Sequence, residues 1–291
     1  MKRGIIVINA FAADENYLYQ PKRLKEEFTA LGADVEIYKN DDFGLSTDEN
    51  GIRLPFSSVD FAIYLDKDKY LLEAMTLKGI KVFNSRTAIE TCDDKMLTYL
   101  SLAHANVPTP KTCPAPLCYS ADASFSLGAL NAVATKLSYP VIVKESYGSL
   151  GKGVYLAKDE EELETIANRL IRKPHLFQKF VSESYGKDVR VIVIGDEVVG
   201  AMLRRSENDF RSNVAAGGKA EMYDASDEIK AVALKAHKAL GLDYSGVDVL
   251  FGEDGKPVVC EVNSNAFFKT FEAVTGVNVA KKYAEYVLSK I

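Results

Sequence analysis

The sequence predicts a mixed α/β protein (α+β), in which a parallel βαβ unit is followed by antiparallel strands. Two observations predict this class. In the first third of the chain, short apolar segments alternate with helical segments, which is typical of a parallel sheet covered by helices. Further along, apolar segments follow one another across glycine-containing turns, which is typical of antiparallel hairpins.

The N-terminal elements follow from apolar periodicity and from the residues that begin and end helices. Pro21 is expected in the first turn of the first helix, and Gly32 lies just past its end. The elements predicted are a strand at Ile5–Asn9, a helix at Pro21–Leu31, strands at Val35–Tyr38 and Phe61–Leu65, a helix at Lys69–Lys78 and a strand at Lys81–Asn84. The loop after the first strand has no G-x-G-x-x-G, so no dinucleotide is expected there.

The rest of the chain mixes helices with strands joined by tight turns. Asp159 is expected to cap one helix, and Gly195-Asp196 is a hairpin turn signal. The predicted elements are a helix at Asp93–Ala105, a loop at Thr112–Ser126, a helix at Leu127–Leu137, strands at Pro140–Glu145, Gly153–Ala157, Leu176–Val181, Asp188–Ile194 and Glu197–Leu203, a helix at Ser226–Leu240, a hairpin at Gly246–Asn263 and a helix at Val279–Leu288.

Composition restricts the class of protein. The chain has 291 residues, of which 47% are hydrophobic and 26% charged, which excludes wholesale disorder and a coiled-coil rod. Its net charge of −5 argues against nucleic acid held by overall charge. No apolar run approaches the ~20 residues of a membrane helix, and the start at Ile5–Ile8 is interpreted as a strand rather than a signal peptide. Four cysteines without a C-x-x-C pair predict a reduced, cytoplasmic protein.

The C-terminal hairpin is the strongest physical signal for a site. If residues 253–256 form its turn, Gly252 faces Pro257 and Asp248 faces Glu261. Alternation then separates an apolar face, comprising Val247, Val249, Phe251, Val258, Cys260 and Val262, from a polar face comprising Asp248, Glu261 and Asn263. Opposed carboxylates repel each other, and a magnesium ion with oxygen ligands would offset the repulsion. The alternative is a solvated polar face in a shifted register.

A glycine-rich loop joins two predicted strands. It contains Gly148, Ser149, Gly151 and Gly153, and Lys144 lies on the strand before it. The loop does not have the spacing of a Walker A loop. Its backbone N–H groups could approach a triphosphate closely, with Lys144 as a point charge. The alternative is a flexible hairpin tip with a structural lysine.

A basic cluster lies on and after the next two predicted strands. It comprises Arg190, Arg204, Arg205 and Arg211, with Asn213 beside them. Guanidinium groups bind carboxylates and phosphates through two parallel hydrogen bonds, so the cluster indicates an anionic ligand. The alternative is surface ion pairing with the many glutamates of the chain.

The order of these motifs resembles the ATP-grasp superfamily, most closely the RimK-type α-L-glutamate ligases. The resemblance rests on Asp94-Lys95, the P-V-I-V-K-E strand with the glycine loop, Q-K-F-V at residues 178–181, D-V-R at 188–190, D-F-R-S-N at 209–213 and C-E-V-N at 260–263. It implies a pre-ATP-grasp βαβ domain over residues 1–88 and a two-lobed ATP-grasp domain over 89–291. The lid lobe would cover about 123–181 and the C-terminal lobe about 182–291.

The resemblance also implies roles for individual residues. Lys95 and Lys144 would bind the ATP phosphates, and Gln178, Lys179, Phe180 and Val181 would surround the adenine. Asp188 would lie near the ribose, and Arg204 with the glycine loop would complete the nucleotide site. Arg190, Arg211 and Asn213 would steady the acyl phosphate and the transferring phosphoryl group. Asp248, Glu261 and Asn263 would bind Mg²⁺ or Mn²⁺.

The implied reaction is an ATP- and magnesium-dependent carboxylate–amine ligation through an acyl phosphate. The partners are ATP, an amino acid and a carboxylate acceptor, either a small molecule or a protein C-terminus, and relatives often form homo-oligomers. Three departures from the family pattern put glutamate specificity in question. After E-V-N, relatives have a small residue, proline and glycine, whereas this chain has Ser264–Lys269. Lys179 stands where relatives have an acidic residue, and Leu65-Asp66-Lys67 stands where they have an arginine. The alternatives are a non-catalytic nucleotide-binding protein and a D-alanine-ligase-like enzyme.

Overall fold

The computed structural model describes residues 1–12, 14–55, 58–120, 122–149, 151–212 and 217–291. Its strands are β1 Arg3–Ile8, β2 Asp34–Lys39, β3 Ser46–Asp48, β4 Gly51–Arg53, β5 Phe61–Tyr64, β6 Val82–Phe83, β7 Thr112–Pro114, β8 Val141–Glu145, β9 Val154–Ala157, β10 His175–Lys179, β11 Lys187–Ile194, β12 Glu197–Arg205, β13 Lys219–Met222, β14 Tyr244–Phe251 and β15 Pro257–Asn263. Its helices are α1 Glu15–Ala30, α2 Lys69–Leu77, α3 Arg86–Asp93, α4 Lys95–His104, α5 Leu127–Leu137, α6 Glu160–Leu170, α7 Asp227–Ala239, α8 Lys269–Thr275 and α9 Val279–Ser289.

The described residues form three sheets of four or five strands and the two-stranded sheet β3–β4. The N-terminal sheet has the order β2-β1-β5-β6 and is parallel throughout. The second sheet, β7-β10-β8-β9, and the third, β13-β12-β11-β14-β15, are antiparallel. The mixed α/β class predicted from the sequence is confirmed.

One apolar cluster joins the N-terminal sheet to the third sheet. Phe28 and Phe61 on the N-terminal side share it with Tyr244, Phe268 and Tyr283, all of them buried. This packing brings the carboxyl ends of β1 and β5 beside the segment that follows β15. The two regions together therefore enclose space that neither region forms alone.

Helix α1 begins six residues earlier than the sequence predicted. The Asp14 side chain caps it by accepting a hydrogen bond from the backbone N–H of Asn16, so Pro21 lies inside the helix rather than in its first turn. The prediction of a start at Pro21 was wrong because α1 buries Gln20, Pro21, Leu24 and Phe28 along one face. That burial stabilises the helix despite the missing N–H of the proline.

The helix predicted at Asp93–Ala105 corresponds to α4, whereas α3, at Arg86–Asp93, was not predicted. Asp94 lies between them in an extended conformation, and its side chain accepts hydrogen bonds from the N–H groups of Met96 and Leu97. Lys95 is thus the first residue of α4, and its backbone N–H donates to the Ser146 carbonyl at 3.0 Å, just beyond β8. The break fixes Lys95 at the start of the glycine loop.

Several short elements were not predicted. β7 lies within the stretch predicted as a loop at Thr112–Ser126, and it pairs with β10. β13, α8 and the β3–β4 hairpin were also missed. Such short elements carry too little periodicity to be recognised, and the pairing partner of β7 is also distant in sequence. Among the described residues, no helix is both long and apolar enough to cross a membrane.

Candidate active site

The C-terminal hairpin places Asp248 opposite Glu261, as predicted, but the register of its two strands near the turn differs from the prediction. Near the turn, Phe251 rather than Gly252 faces Pro257, so the register differs by one residue from the prediction. A β-bulge at Cys260 then inserts one unpaired residue and brings Asp248 opposite Glu261. Two departures from the predicted register therefore cancel at the carboxylates.

The bulge changes which side chains share the apolar face. Val259, not Val258 or Cys260, packs with the buried valines of β14. The prediction that Cys260 lies on the apolar face was wrong, because the bulge turns its side chain the other way. Its thiol lies 3.6 Å from the Lys144 ammonium.

The charge of Asp248 is compensated by two arginines. Arg190 donates to both carboxylate oxygens at 2.7 Å, and Arg204 Nη2 lies 2.9 Å from Oδ2. Arg204 Nε also donates to Asp188 at 2.7 Å, so four side chains of alternating charge form one buried or nearly buried row. Burial alone would raise the pKa of Asp248, but the two guanidinium groups outweigh it and the pKa is lowered. The repulsion expected between Asp248 and Glu261 is thus already offset by protein groups.

A cavity of about 120 Å³ lies between the second and third sheets; we call it the inter-sheet cavity. It brings together most of the residues predicted to bind the nucleotide. These are Lys95, Lys144, Gly148, Ser149, Gly151, Gln178, Lys179, Phe180, Val181, Asp188 and Arg204, and Arg211, Asp248 and Glu261 line the same cavity. Residues 178–181 belong to the segment that leaves β10 towards the third sheet, so they lie where the two sheets meet.

Lys144 is buried on β8 against an aromatic side chain. Its Nζ lies 3.3 Å from the Tyr99 hydroxyl and 5.8 Å from the centre of the Tyr99 ring. That hydroxyl in turn donates to the Cys260 carbonyl oxygen, so α4, β8 and the bulge are connected. The ammonium group is therefore held at the wall of the inter-sheet cavity.

Two cations bind carbonyl oxygens of the glycine loop. Lys95 Nζ donates to Gly148 O at 2.9 Å, and Arg211 Nη1 donates to Gly151 O at 2.9 Å. Arg211 is also ion-paired with Asp209, with Nη2 2.6 Å from Oδ2. Burial lowers the pKa of Lys95, and Glu261, 3.9 Å away, opposes that shift. The loop of the second sheet is thus fastened to groups outside that sheet.

A second cavity, of about 500 Å³, lies where the N-terminal sheet meets the segment after β15; we call it the N-terminal cavity. Arg190 and Asn263 line it, and neither lines the inter-sheet cavity. Lys95, Glu261 and the glycine-loop residues line both cavities, so the two spaces adjoin. A group transferred from one cavity to the other would pass Lys95 and Glu261.

Some predicted residues do not contribute side chains to either cavity. Gly153 lines neither; its φ of +75° suits a turn, and a Cβ there would lie 3.1 Å from Glu145. Arg205 forms an exposed pair with Glu221 at 3.5 Å. Asn213 lies outside the described residues, so its predicted role stays a prediction.

Glu261 and Asn263 suit a divalent cation better than Asp248 does. They lie two residues apart on β15, and the Glu261 side chain is 36% exposed. Asn263 Nδ2 is buried without a hydrogen-bond partner among the described residues, so nothing in that part of the protein fixes which amide atom faces the cavity. Their oxygens are of the type that Mg²⁺ prefers. No group of three or more His, Cys, Asp or Glu gathers in the described ranges.

Comparison with known proteins identifies the family of the chain. Residues 92–287 match the family model of the RimK-like ATP-grasp domain. The chain belongs to the RimK-like ATP-grasp family. Among curated relatives, human N-acetylaspartylglutamate synthase A is 36% identical over 241 residues, covering 82% of this chain and 59% of that protein. A probable alpha-L-glutamate ligase of Klebsiella pneumoniae is 34% identical over 292 residues, covering 96% of this chain and 94% of that protein.

The fold of this RimK-like ATP-grasp protein recurs in solved structures. A RimK domain ATP-grasp protein from Sphaerobacter thermophilus has a TM-score of 0.74 at 22% identity, covering 98% of both chains. D-alanine–D-alanine ligase from Bacillus anthracis, solved with ATP, has a TM-score of 0.73 at 15% identity over 99% of this chain and 97% of that chain. The chain spans only 54–59% of the length of the synthases A and B that it matches.

Sequence reasoning missed the polar residues of the N-terminal cavity in this RimK-like protein. Gln20, Asn265, Asp66 and Asn9 line it beside the predicted residues. Because the predicted helix began at Pro21, Gln20 lay outside it, and nothing in the sequence indicated that this glutamine lies on the buried face of a helix. Asp66 and Asn265 were indicated only by the departures from the family pattern, at Leu65-Asp66-Lys67 and Ser264–Lys269.

Proposed function

We propose that this chain is an ATP- and Mg²⁺-dependent carboxylate–amine ligase that forms an amide bond through an acyl phosphate. The amine would be L-glutamate or a similar amino acid, and the acceptor a carboxylate of a small molecule or a protein C-terminus. One observation carries the proposal: the inter-sheet and N-terminal cavities adjoin at Lys95, Glu261 and the glycine loop. Relatives named as synthases and ligases support it.

In this proposal ATP occupies the inter-sheet cavity. Lys144 binds phosphate oxygens, residues 178–181 surround the adenine, and Asp188 and Arg204 form the wall beside them. Glu261 and Asn263 would hold Mg²⁺ or Mn²⁺, with Asp248 as the further ligand of the predicted set. When bound, the cation would neutralise charge on the triphosphate. Gly148, Ser149 and Gly151 also line this cavity, where the glycine loop would cover the phosphates.

The acceptor carboxylate would bind at the end of the N-terminal cavity beside Lys95 and Arg190. One of its oxygens attacks the γ-phosphorus of ATP, the bond to the β-phosphate oxygen breaks, and ADP leaves. The amine then attacks the acyl carbon, phosphate leaves, and the amine gives up a proton. Lys95, Arg190 and Arg211 stabilise the charge on the transferring group, and Asn213 is proposed to assist them. The closed glycine loop limits access of water to the acyl phosphate.

Two coarser features complete the proposal. Residues 1–88 and 89–291 would be separate structural domains, with the substrate between them and a lid lobe over about 123–181. All four cysteines are free thiols, which supports a cytoplasmic location. Association into homo-oligomers is a further expectation from the family resemblance.

Phosphate release tests the function directly. The protein is incubated with ATP, Mg²⁺, pooled amino acids and acidic acceptors, and products are identified by mass spectrometry. We expect ADP and phosphate only when both an amine and an acceptor are present, together with a new amide mass. Nucleotide binding without release over the whole pool would instead support a non-catalytic nucleotide-binding protein.

A further inference from the structure

A buried hydrogen-bond acceptor without a partner lies at the wall of the N-terminal cavity. Gln20, on α1, is 1% exposed and lines that cavity. Its Nε2 donates to Asn265 Oδ1 at 3.1 Å. Its Oε1 is buried and has no hydrogen-bond partner among the described residues. A buried carbonyl oxygen left in this state is unfavourable unless a ligand or a water molecule supplies the donor.

The orientation of the Gln20 amide is fixed by its neighbour. Asn265 Nδ2 donates to the Leu65 carbonyl at 2.7 Å, which turns Asn265 Oδ1 towards Gln20. Gln20 must then present its nitrogen to Asn265, because two carbonyl oxygens would repel each other. The unpartnered atom is therefore the oxygen, and exchanging the amide atoms would break the bond to Asn265.

The wall around Gln20 is also rich in negative charge. Asp66 and Asp14 line the N-terminal cavity but not the inter-sheet cavity. Asp66 accepts hydrogen bonds from the amide groups of Asn9 at 3.2 Å and Asn40 at 2.9 Å, both of which are neutral. Within the described ranges, no Lys, Arg or His nitrogen lies within ion-pair distance of Asp66 or Asp14.

The cations of the N-terminal cavity are committed elsewhere. Lys67 is ion-paired with Asp93, and Arg190 is bound to Asp248. Lys95 lies where the two cavities adjoin, bound to Gly148 O. The cavity therefore has a cationic end towards the inter-sheet cavity and an acceptor-rich wall at α1, β1 and β5.

We propose that Gln20, oriented by Asn265 and accompanied by the Asp66 carboxylate, is the binding site for an ammonium group of the amino-acid substrate. The inference rests on the proposed function for the identity of that substrate. An ammonium group has three donors and a positive charge, which matches an unpartnered oxygen and an uncompensated carboxylate. Gln20 is a specificity-determining residue: it selects molecules with an ammonium group over des-amino analogues of the same shape.

Matched ligand pairs test this without turnover. Dissociation constants are measured by calorimetry with the full chain, in the presence of Mg²⁺ and a non-hydrolysable ATP analogue. The pairs are L-glutamate and glutarate, L-aspartate and succinate, and L-lysine and 6-aminohexanoate, which differ in the α-ammonium group. We expect at least one amino acid to bind about tenfold or more tightly than its partner. If no amino acid does so, the proposal is overturned.

Variants assign the preference to Gln20. Gln20→Met keeps the size of the side chain without polar atoms, and it should abolish the preference while the nucleotide dissociation constant is unchanged. A preference unchanged in Gln20→Met overturns the proposal.

The chain offers a matched control. Gln178 is buried to the same degree, at 2% exposed, but lines the inter-sheet cavity. Gln178→Met should weaken nucleotide binding and leave the ratio within each ligand pair unchanged. If the ligation assay fails while the ammonium preference is present and Gln20-dependent, the proposed reaction is wrong and the binding site stands. If ligation succeeds without that dependence, only this inference fails.

Discussion

The two adjoining cavities differ in whether the buried polar side chains of their walls have partners within the protein. In the inter-sheet cavity, Asp188, Arg204 and Asp248 are paired with one another and with Arg190. In the N-terminal cavity, Gln20 Oε1 and Asn263 Nδ2 are buried without partners among the described residues. Paired groups contribute to a fixed wall before any ligand arrives, whereas unpaired groups become satisfied only on binding. The wall of the inter-sheet cavity is thus fixed by its own ion pairs, whereas that of the N-terminal cavity keeps unsatisfied polar atoms.

The largest expected effect comes from breaking the paired row. Asp248→Asn leaves Arg190 and Arg204 facing a neutral amide in a buried site. We expect the free energy of unfolding to fall by about 3–5 kcal/mol, because removing one member of a buried ion pair leaves the others uncompensated. Urea unfolding followed by circular dichroism measures the change.

An exposed pair in the same sheet is the control for that variant. Arg205 and Glu221 are 57% and 63% exposed, and their atoms lie 3.5 Å apart. Glu221→Gln should change the free energy of unfolding by about 0–1 kcal/mol. Equal losses in Asp248→Asn and Glu221→Gln would mean that the buried row has no special part in stability.

The next effect concerns the boundary between the cavities. Glu261→Gln removes a carboxylate that lines both spaces and suits a divalent cation. We expect phosphate release to fall about 100-fold or more, since charge stabilisation of this kind is typically worth that much. Glu253→Gln, in the exposed turn of the same hairpin, should leave the rate unchanged. A Glu261→Gln protein as active as Glu253→Gln would contradict the assignment.

The third expected effect is a pH dependence of stability caused by His237, a buried histidine in the core. His237 Nδ1 lies 2.8 Å from Ser245 Oγ, while its Nε2 has no partner among the described residues. Burial lowers the pKa of His237 to about 4, although Asp196 opposes the shift. The unfolded chain, with an ordinary pKa of about 6.5, binds the proton first as pH falls. Stability is therefore complete above that pH and decreases towards pH 4.

The His237 contribution to this loss between pH 7.5 and pH 5 should be about 2 kcal/mol, and His175, whose pKa is also lowered by burial, adds a loss of the same sign. His237→Gln should remove the His237 contribution, even if it lowers stability at every pH. His104 is exposed, so His104→Gln serves as the control. Thermal unfolding across this pH range decides the matter: parallel curves for wild type and His237→Gln would show that other groups cause the acid sensitivity.

The smallest effect concerns a glycine predicted to bind nucleotide. Gly153→Ala should lower the free energy of unfolding by about 1 kcal/mol, because φ is +75° and the new Cβ meets Glu145. Nucleotide affinity should be nearly unchanged, since Gly153 lines neither cavity. Gly128→Ala, in α5 with open space around it, should stabilise by about 0.5–1 kcal/mol. Loss of nucleotide binding in Gly153→Ala would restore the original prediction.

The sequence predicted features that depend on local pattern and missed those that depend on tertiary contacts. Apolar periodicity was sufficient for the parallel sheet and for the hairpin that bears Asp248 and Glu261, because burial of one face determines both. It was insufficient for the start of α1, where tertiary burial of Gln20 and Pro21 overrides the usual position of proline. The bulge at Cys260 has no local signature, because it depends on pairing with β14.

The residues that local motifs indicated gather mainly at the inter-sheet cavity, whereas Gln20, Asn9 and Asn265 of the N-terminal cavity were missed. Lys144 and Gln178 belong to contiguous segments that a motif can describe. Gln20, Leu65 and Asn265 come from three distant segments, and their contact arises only when the N-terminal sheet packs on the third sheet. No spacing rule in one sequence connects positions so far apart.

The β-bulge at Cys260 divides the C-terminal hairpin into two parts whose strand registers differ. Pairing on the turn side of Cys260 follows one register, and pairing of Asp248 and Glu261 follows another. A residue added to or removed from the exposed 253–256 turn can thus be absorbed by gain or loss of an unpaired residue, without turning the carboxylates to the opposite face. This turn is accordingly a suitable position for inserting a short tag or a fluorophore-bearing peptide.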